Sequence, residues 1–279
     1  AQVPEITITD GVYTLVAGKD YKVTSTDNIN AGNATVTVEG TGNYGGSFKG
    51  TFVIDKAVPT LNFQNKMIEG TVSDSVKYKN NLTAQETDGK ITYSCDKNNI
   101  IEMFWDNNGV VISAMHAGTV TVTVKAEEGR NYLAGNTSFT VKVNKAAGKI
   151  TASDITRNYS AKKQYVNTGW QSNGGGKLTY SSDNKAVKID AKGKIKIAKK
   201  FTGLATITVK ASETNDYKAG SCKVAVTVKP SKTSITRVVN GAKKKATVTW
   251  KKNKTGTGYV IQYSTDKRFR KGVKTLYIS

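Results

Sequence analysis

The stretch AGTVTVTVKA at residues 117–126 returns as TGLATITVKA at residues 202–211, and this pair decides the fold. In each copy apolar residues alternate with Thr or Lys, so one face of the extended chain is apolar and the other polar. That period of two belongs to a half-buried antiparallel strand and not to a helix. An earlier run, AGNATVTVEG (31–40), follows the same rule, with Val36 and Val38 on one face and Thr35 and Thr37 on the other.

The copies bring their neighbours with them. Upstream, KITYSCD (90–96) matches KLTYSSD (177–183). Downstream, EGRNYLAG (128–135) is answered by TNDYKAG (214–220), which aligns Tyr132 with Tyr217. SFTVKVNKA (138–146) is then answered by KVAVTVKP (223–230). The first segment shares this second half, through GTGNYGG (40–46) and TFVIDKA (51–57), and places Tyr44 at the same point. Strand, tyrosine turn and strand thus occur in order three times, each copy ending in a Lys-Ala or Lys-Pro joint that reads as a linker. Turn signals fall at Asp10-Gly11, Asp88-Gly89, Asn108-Gly109, Gly174-Gly175-Gly176 and Lys192-Gly193. No segment sustains helical periodicity. The sequence predicts an all-β protein, with tandem antiparallel β-sandwich modules in an elongated array.

A chain of 279 residues exceeds one such module of about 100 residues. The repeats predict divisions at 1–57, 58–145, 146–229 and 230–279. Composition, at 37% hydrophobic and 23% charged, is that of folded globular domains. No run of apolar residues is long enough to span a membrane. The N-terminus reads straight into strand alternation, so an export signal and anchor are expected outside this sequence. Cys95 and Cys222 fall in different repeats at non-equivalent positions, which predicts two small buried hydrophobes without a disulfide or metal site. Few cysteines in an exported chain point to a bacterial source.

The net charge of +21 is unevenly spread. Residues 1–57 carry 4 basic and 6 acidic side chains, and residues 58–145 carry 9 of each. Residues 146–229 carry 16 and 5, and residues 230–279 carry 13 and 1. The front is near neutral and the rear strongly basic.

The run LTYSSDNKAVKIDAKGKIKIAKKFTGLATITVKAS (178–212) resembles the bacterial immunoglobulin-like domains of invasin and intimin type. Residues 57–145 resemble them with a degenerate middle. GVYTLVAGKDYKVTSTDNINAGNATVTVEGTGNYGGSFKGTFVI (11–54) is similar to a smaller sandwich repeat found beside such domains in surface proteins of Gram-positive gut anaerobes. Residues 231–279 resemble the N-terminal half of a fibronectin type III domain, with Trp250 on its second strand and Tyr259–Tyr263 as its third. On that resemblance the chain is expected to continue, and TLYIS (275–279) to be an unpaired edge strand. The resemblance implies immunoglobulin-like modules of a secreted or surface-displayed bacterial protein. That family supplies stalks, spacers and adhesive tips alike, so it implies no functional motif.

Chemistry-bearing residues are sparse. The single histidine, His116, aligns with Phe201 and is expected to pack in a turn. Without a second histidine there is no His-based dyad or metal cluster, and no nucleophile elbow, phosphate loop or zinc-protease motif occurs. A noncatalytic chain without cofactor or metal is predicted.

Aromatics are the usual anchors of a binding surface. Trp105 aligns with the inward Ile189 and is expected in the core, while Phe104 points the other way and is a candidate contact. Trp170, in NTGWQSNGGGK (167–177), aligns with Thr83, has no apolar counterpart, and is the foremost candidate contact. Trp250 is expected in a core. Tyr44, Tyr132 and Tyr217 are expected to tie their hydroxyls to backbone, as a tyrosine corner does.

The lysine clusters Lys162-Lys163, Lys199-Lys200, Lys243-Lys244-Lys245 and Lys251-Lys252 have two equal readings. One is a solvated face that discourages edge pairing. The other is a surface for polyanions such as teichoic acid, acidic glycans or lipid headgroups. Without a recognition helix or stacking platform, specific nucleic-acid binding is not expected.

The function expected is a cell-surface adhesin engaging a host protein, immunoglobulin among the candidates, or a glycan, with a basic region near an anionic wall polymer. The alternatives are a passive stalk or the accessory modules of a secreted glycosidase or wall hydrolase.

Overall fold

The computed structural model describes residues 1–279 except 74–75, 107 and 243–244. It forms two compact units, Ala1–Lys145 and Ala146–Ser279. No described residue is helical.

In the first unit, β1 (Thr9–Asp10) and β2 (Tyr13–Thr14) form a hairpin across the Asp10-Gly11 turn. β3 (Tyr21–Thr26), β4 (Gly32–Gly40) and β5 (Ser47–Ile54) form an antiparallel sheet in that order. Next come β6 (Thr60–Phe63), β7 (Met67–Thr71), β8 (Lys77–Glu86), β9 (Ile91–Cys95) and β10 (Ile101–Asp106). β11 (Gly109–Ala114), β12 (Gly118–Ala126) and β13 (Gly135–Asn144) complete the unit. These eight strands build two sheets, β10-β11-β8-β6 and β7-β13-β12-β9. Phe63 of β6 meets Phe139 of β13 edge to face at 4.6 Å, so the sheets pack as a sandwich.

The second unit begins with β14 (Ile150–Thr151), β15 (Ile155–Asn158), β16 (Gln164–Asn167), β17 (Gln171–Ser172) and β18 (Leu178–Ser182). It continues with β19 (Val187–Ile189), β20 (Lys194–Ile197), β21 (Gly203–Ala211) and β22 (Gly220–Lys229). The sheets are β15-β22-β21-β18 and β16-β20-β19, with β14 paired to β17. β15 runs parallel to β22 as β7 does to β13, so both sandwiches close with the same mixed edge. β23 (Ile235–Gly241) pairs with β24 (Lys245–Trp250), and β25 (Tyr259–Tyr263) with β26 (Lys274–Ile278). Residues 275–278, expected to be unpaired, are thus hydrogen-bonded along one side to β25.

The alternation read from the sequence sets the packing. Ala34, Val36 and Val38 of β4, Val120, Val122 and Val124 of β12, and Ala205, Ile207 and Val209 of β21 are all buried. Each buried Val or Ile contributes about 1.5–3 kcal/mol from apolar burial. Gly32 and Gly203, which open β4 and β21, have φ of 128° and 116°, where an L side chain is strained. The Asp that ends KITYSCD and KLTYSSD also has a structural role. Asp96 donates its N–H to Thr121 O, and its Oδ1 accepts the Thr121 N–H at 2.8 Å. Asp183 makes the same pair of bonds with Thr206, the second at 2.7 Å.

The tyrosine turns act through their backbone. The Ala57 N–H donates to Asn131 O, and the Leu133 N–H donates back to Ala57 O, so the turn around Tyr132 clasps the linker entering its own module. Ala146 is held identically between Asp216 and Lys218, around Tyr217. Gly174 lies so close to the Tyr217 ring that a Cβ there would stand 2.5 Å from it. Among the first-segment tyrosines, the hydroxyl bonded to backbone is that of Tyr21, which donates to Ile6 O at 3.2 Å.

Candidate binding surfaces

Trp170 belongs to the core of the second unit. It is 9% exposed and clusters with Val187, Ile195, Ile207 and Val224, its ring 6.2 Å from that of Tyr180. Its assignment as a ligand contact is corrected accordingly. The local cause is Gly169, whose φ of 61° turns the loop at the tryptophan. The distant cause is volume. In the preceding repeat Trp105 covers Tyr93, the counterpart of Tyr180; here the smaller Ile189 stands in the register position of Trp105, which leaves Tyr180 to be covered by Trp170.

Phe104 lies on β10, the edge of its sheet, and is 54% exposed. Trp105, expected in the core, is also 54% exposed. Its ring leans on Tyr93 at 5.9 Å, but it sits near the end of an edge strand, where no further strand covers it. Successive strand residues point to opposite faces, so this edge offers an aromatic on each side. Behind them, burial and then the Asp106 carboxylate push the Tyr93 phenol above its ordinary pKa. Trp250, expected in a core, is half-buried and packs on Tyr259 at 5.2 Å.

The lysines Lys162, Lys163, Lys199, Lys200, Lys245, Lys251 and Lys252 are exposed, and Lys243 and Lys244 lie outside the described residues. Two of the doublets are brought together. The Lys200 N–H donates to Ser160 O at 2.9 Å, and the Lys162 N–H donates to Ser160 Oγ at 3.0 Å. Lys251 and Lys252 sit beside a loop that meets the same turn, since Thr202 Oγ1 donates to Thr255 O at 2.9 Å. Lys245, at the far end of β24, stands apart from them in the strand.

Sequence reading missed the lysines between the doublets. On the outer face of β16-β20-β19, Tyr165, Lys196 and Lys188 stand in one cross-strand row. Lys194 follows in the next row, opposite Asn167, with its ammonium 5.0 Å from the Tyr165 ring centroid. Tyr165 is 55% exposed, and Lys188, Lys194 and Lys196 are exposed. The signal was the alternation of Lys194 and Lys196 with the buried Ile195 and Ile197.

The remaining candidates carry no site. His116 is exposed, and its backbone N–H donates to Ile100 O. Cys95 and Cys222 are free thiols of intermediate burial, and burial raises the pKa of Cys222. Among the described residues, no group of three or more His, Cys, Asp and Glu could hold a metal ion. None of the described elements is a helix long and apolar enough to cross a membrane.

No family model matches the sequence, and no curated protein does. Solved structures do. An I-band fragment of titin is 14% identical over 81% of this chain and 88% of that one, with a TM-score of 0.36. Extracellular domains 3–5 of Drosophila OTK are 15% identical over 71% of each chain, with a TM-score of 0.32. Extracellular cadherin domains 1–4 of protocadherin gamma B7 are 10% identical over 93% and 92%, with a TM-score of 0.30. By the topology of its own sheets, the chain is an all-β protein of tandem, immunoglobulin-like β-sandwiches.

Proposed function

We propose that this chain is a noncatalytic binding array of a bacterial cell surface, with modules at 1–57, 58–145, 146–229 and 230–279. The first unit engages a host protein or glycan, and the basic second unit faces an anionic wall polymer. The observation that carries the reading is the edge strand β10, with Phe104 and Trp105 both half exposed beside an open row of backbone groups. Aromatic anchors next to an unpaired strand edge suit recognition of another protein by strand addition. Immunoglobulin is one host ligand with such edges of its own. The uneven charge and the resemblance of residues 178–212 support the surface setting.

The test is binding of the full chain to purified immunoglobulin and to mucin glycans, beside the Phe104→Ala/Trp105→Ala double variant. The variant should bind about thirtyfold more weakly, the factor that loss of a 2 kcal/mol anchor represents. Equal affinity removes the aromatic edge as the site, and no binding by the parent chain removes the adhesin reading.

A passive stalk is the second reading, and one observation favours it. The joint within the first unit is cemented: Lys56 Nζ reaches Glu128 Oε1 and Gly129 O, and Asn131 Oδ1 accepts the Ala31 N–H at 2.8 Å.

A further inference from the structure

We infer that the outer face of β16-β20-β19 is a docking surface for a single-chain phosphodiester polymer whose repeat is an uncharged alditol or sugar. This rests on the polyanion-facing reading of the second unit and gives it a place and a ligand chemistry.

The geometry concentrates positive charge. Lys188 and Lys196 are direct cross-strand partners on the exposed face. Strands lie about 4.8 Å apart, and residues two apart on one strand about 7 Å. Lys194 therefore stands one such step along β20 from Lys196. Lys163 lies two residues before Tyr165, with the same parity, and the clustered Lys162, Lys199 and Lys200 close that end of the sheet.

Among the described residues no carboxylate is ion-paired with Lys163, Lys188, Lys194 or Lys196. The nearest acid in sequence, Asp190, spends Oδ1 on the backbone N–H groups of Lys192 and Lys194, both at 2.9 Å. Like charges directly opposite on a sheet are destabilising. A polyanion laid across the row removes that repulsion, which solvation alone does only in part.

The residue types narrow the ligand. Planar carboxylates favour the bidentate fork of arginine, whereas lysine serves phosphate as a point charge on a flexible stem. This face has lysine and no arginine. Single-stranded nucleic acid calls for several aromatic platforms. Here Tyr165 is the aromatic in these rows, and Lys194 already lies over its ring. The exposed edge and hydroxyl of Tyr165 suit contact with the CH and OH groups of an alditol or sugar between the phosphates.

The experiment measures affinity of the full chain for a synthetic poly(glycerol phosphate) across a salt series. The triple variant Lys188→Gln/Lys194→Gln/Lys196→Gln should lose at least tenfold in affinity. It should also shrink the log–log salt slope by about 2, at roughly 0.7 per lost contact. A matched triple with the same loss of charge at the opposite sheet, Lys177→Gln/Lys210→Gln/Lys229→Gln, should lose less than threefold. Equal losses in the two triples overturn this face as the site but leave a diffuse polyanion-binding unit. Absence of binding by the parent chain overturns both. Polygalacturonate and a single-stranded oligodeoxynucleotide of equal charge should bind more weakly, and either binding as tightly overturns the ligand assignment. Lys188→Glu provides the internal control for folding: it should raise the Tm of the free protein while weakening polymer binding. A lowered Tm would show that the lysine row is structural and overturn the proposal.

Discussion

The sandwich of β6–β13 and that of β14–β22 fold alike and present different outer sheets. The row Lys79–Val111–Phe104 across β8-β11-β10 has as its counterpart Tyr165–Lys196–Lys188 across β16-β20-β19. On one side of it, Asn81–Gly109–Asp106 corresponds to Asn167, Lys194 and Asp190. On the other, Lys77–Ser113–Glu102 corresponds by register to Lys163, Ala198 and Ala186. The aromatic and the acid of the first sandwich thus become a lysine and an alanine in the second. Inward positions keep Val and Ile because they fill a close-packed core, while outward positions are released from packing. Two modules of one topology can therefore carry unrelated surfaces, and fold alone does not assign either of them.

The largest difference between the two sandwiches is expected from substitutions at a buried and an exposed aromatic. Trp170→Ala should cost about 3–5 kcal/mol of second-unit stability, as truncation of a buried aromatic does. Phe104→Ala should change first-unit stability by less than about 0.5 kcal/mol, the range for surface positions. Urea unfolding followed by tryptophan and tyrosine fluorescence reads both. A Trp170→Ala cost below about 1 kcal/mol would return this residue to the surface.

A smaller effect is expected with pH. The backbone N–H of Thr206, the largest cause, holds the Asp183 carboxylate below its ordinary pKa, and the N–H groups of Arg268 and Arg270 do so for Asp266. A carboxyl with a depressed folded-state pKa stabilises the fold above its unfolded value of about 3.9. That contribution is lost as pH falls through the folded pKa. The Tm of the second unit should therefore fall in acid, and Asp183→Asn should flatten part of that fall while lowering Tm at neutral pH. Calorimetry from about pH 6 to about pH 2 checks it. Parallel curves for parent and variant would detach Asp183 from the acid response.

Much of this was legible in the sequence. The strands at 34–38, 120–124 and 205–209 follow from a period of two, and the shared topology follows from the repeats. What was not legible depended on distant partners. Trp170 turns inward at one glycine conformation and covers Tyr180, which Ile189 is too small to cover, and neither is visible in the loop itself. Trp105 occupies an inward register position that stays open because β10 ends the sheet, and strand order is a tertiary fact. The tyrosine turns signalled a joint, but backbone groups make the clasp. The lysine doublets stand out in the sequence, while Lys188, Lys194 and Lys196 occur singly among inward-facing apolar residues.

Whether the two outer sheets differ in what they bind is read most directly by amide chemical-shift mapping on the labelled full chain titrated with poly(glycerol phosphate). Shifts should concentrate on β16, β19 and β20, saturate with polymer and vanish with salt, while the matching strands β8, β10 and β11 stay silent. Equal shifts on the two sheets, or a response confined to residues 230–279, would contradict it.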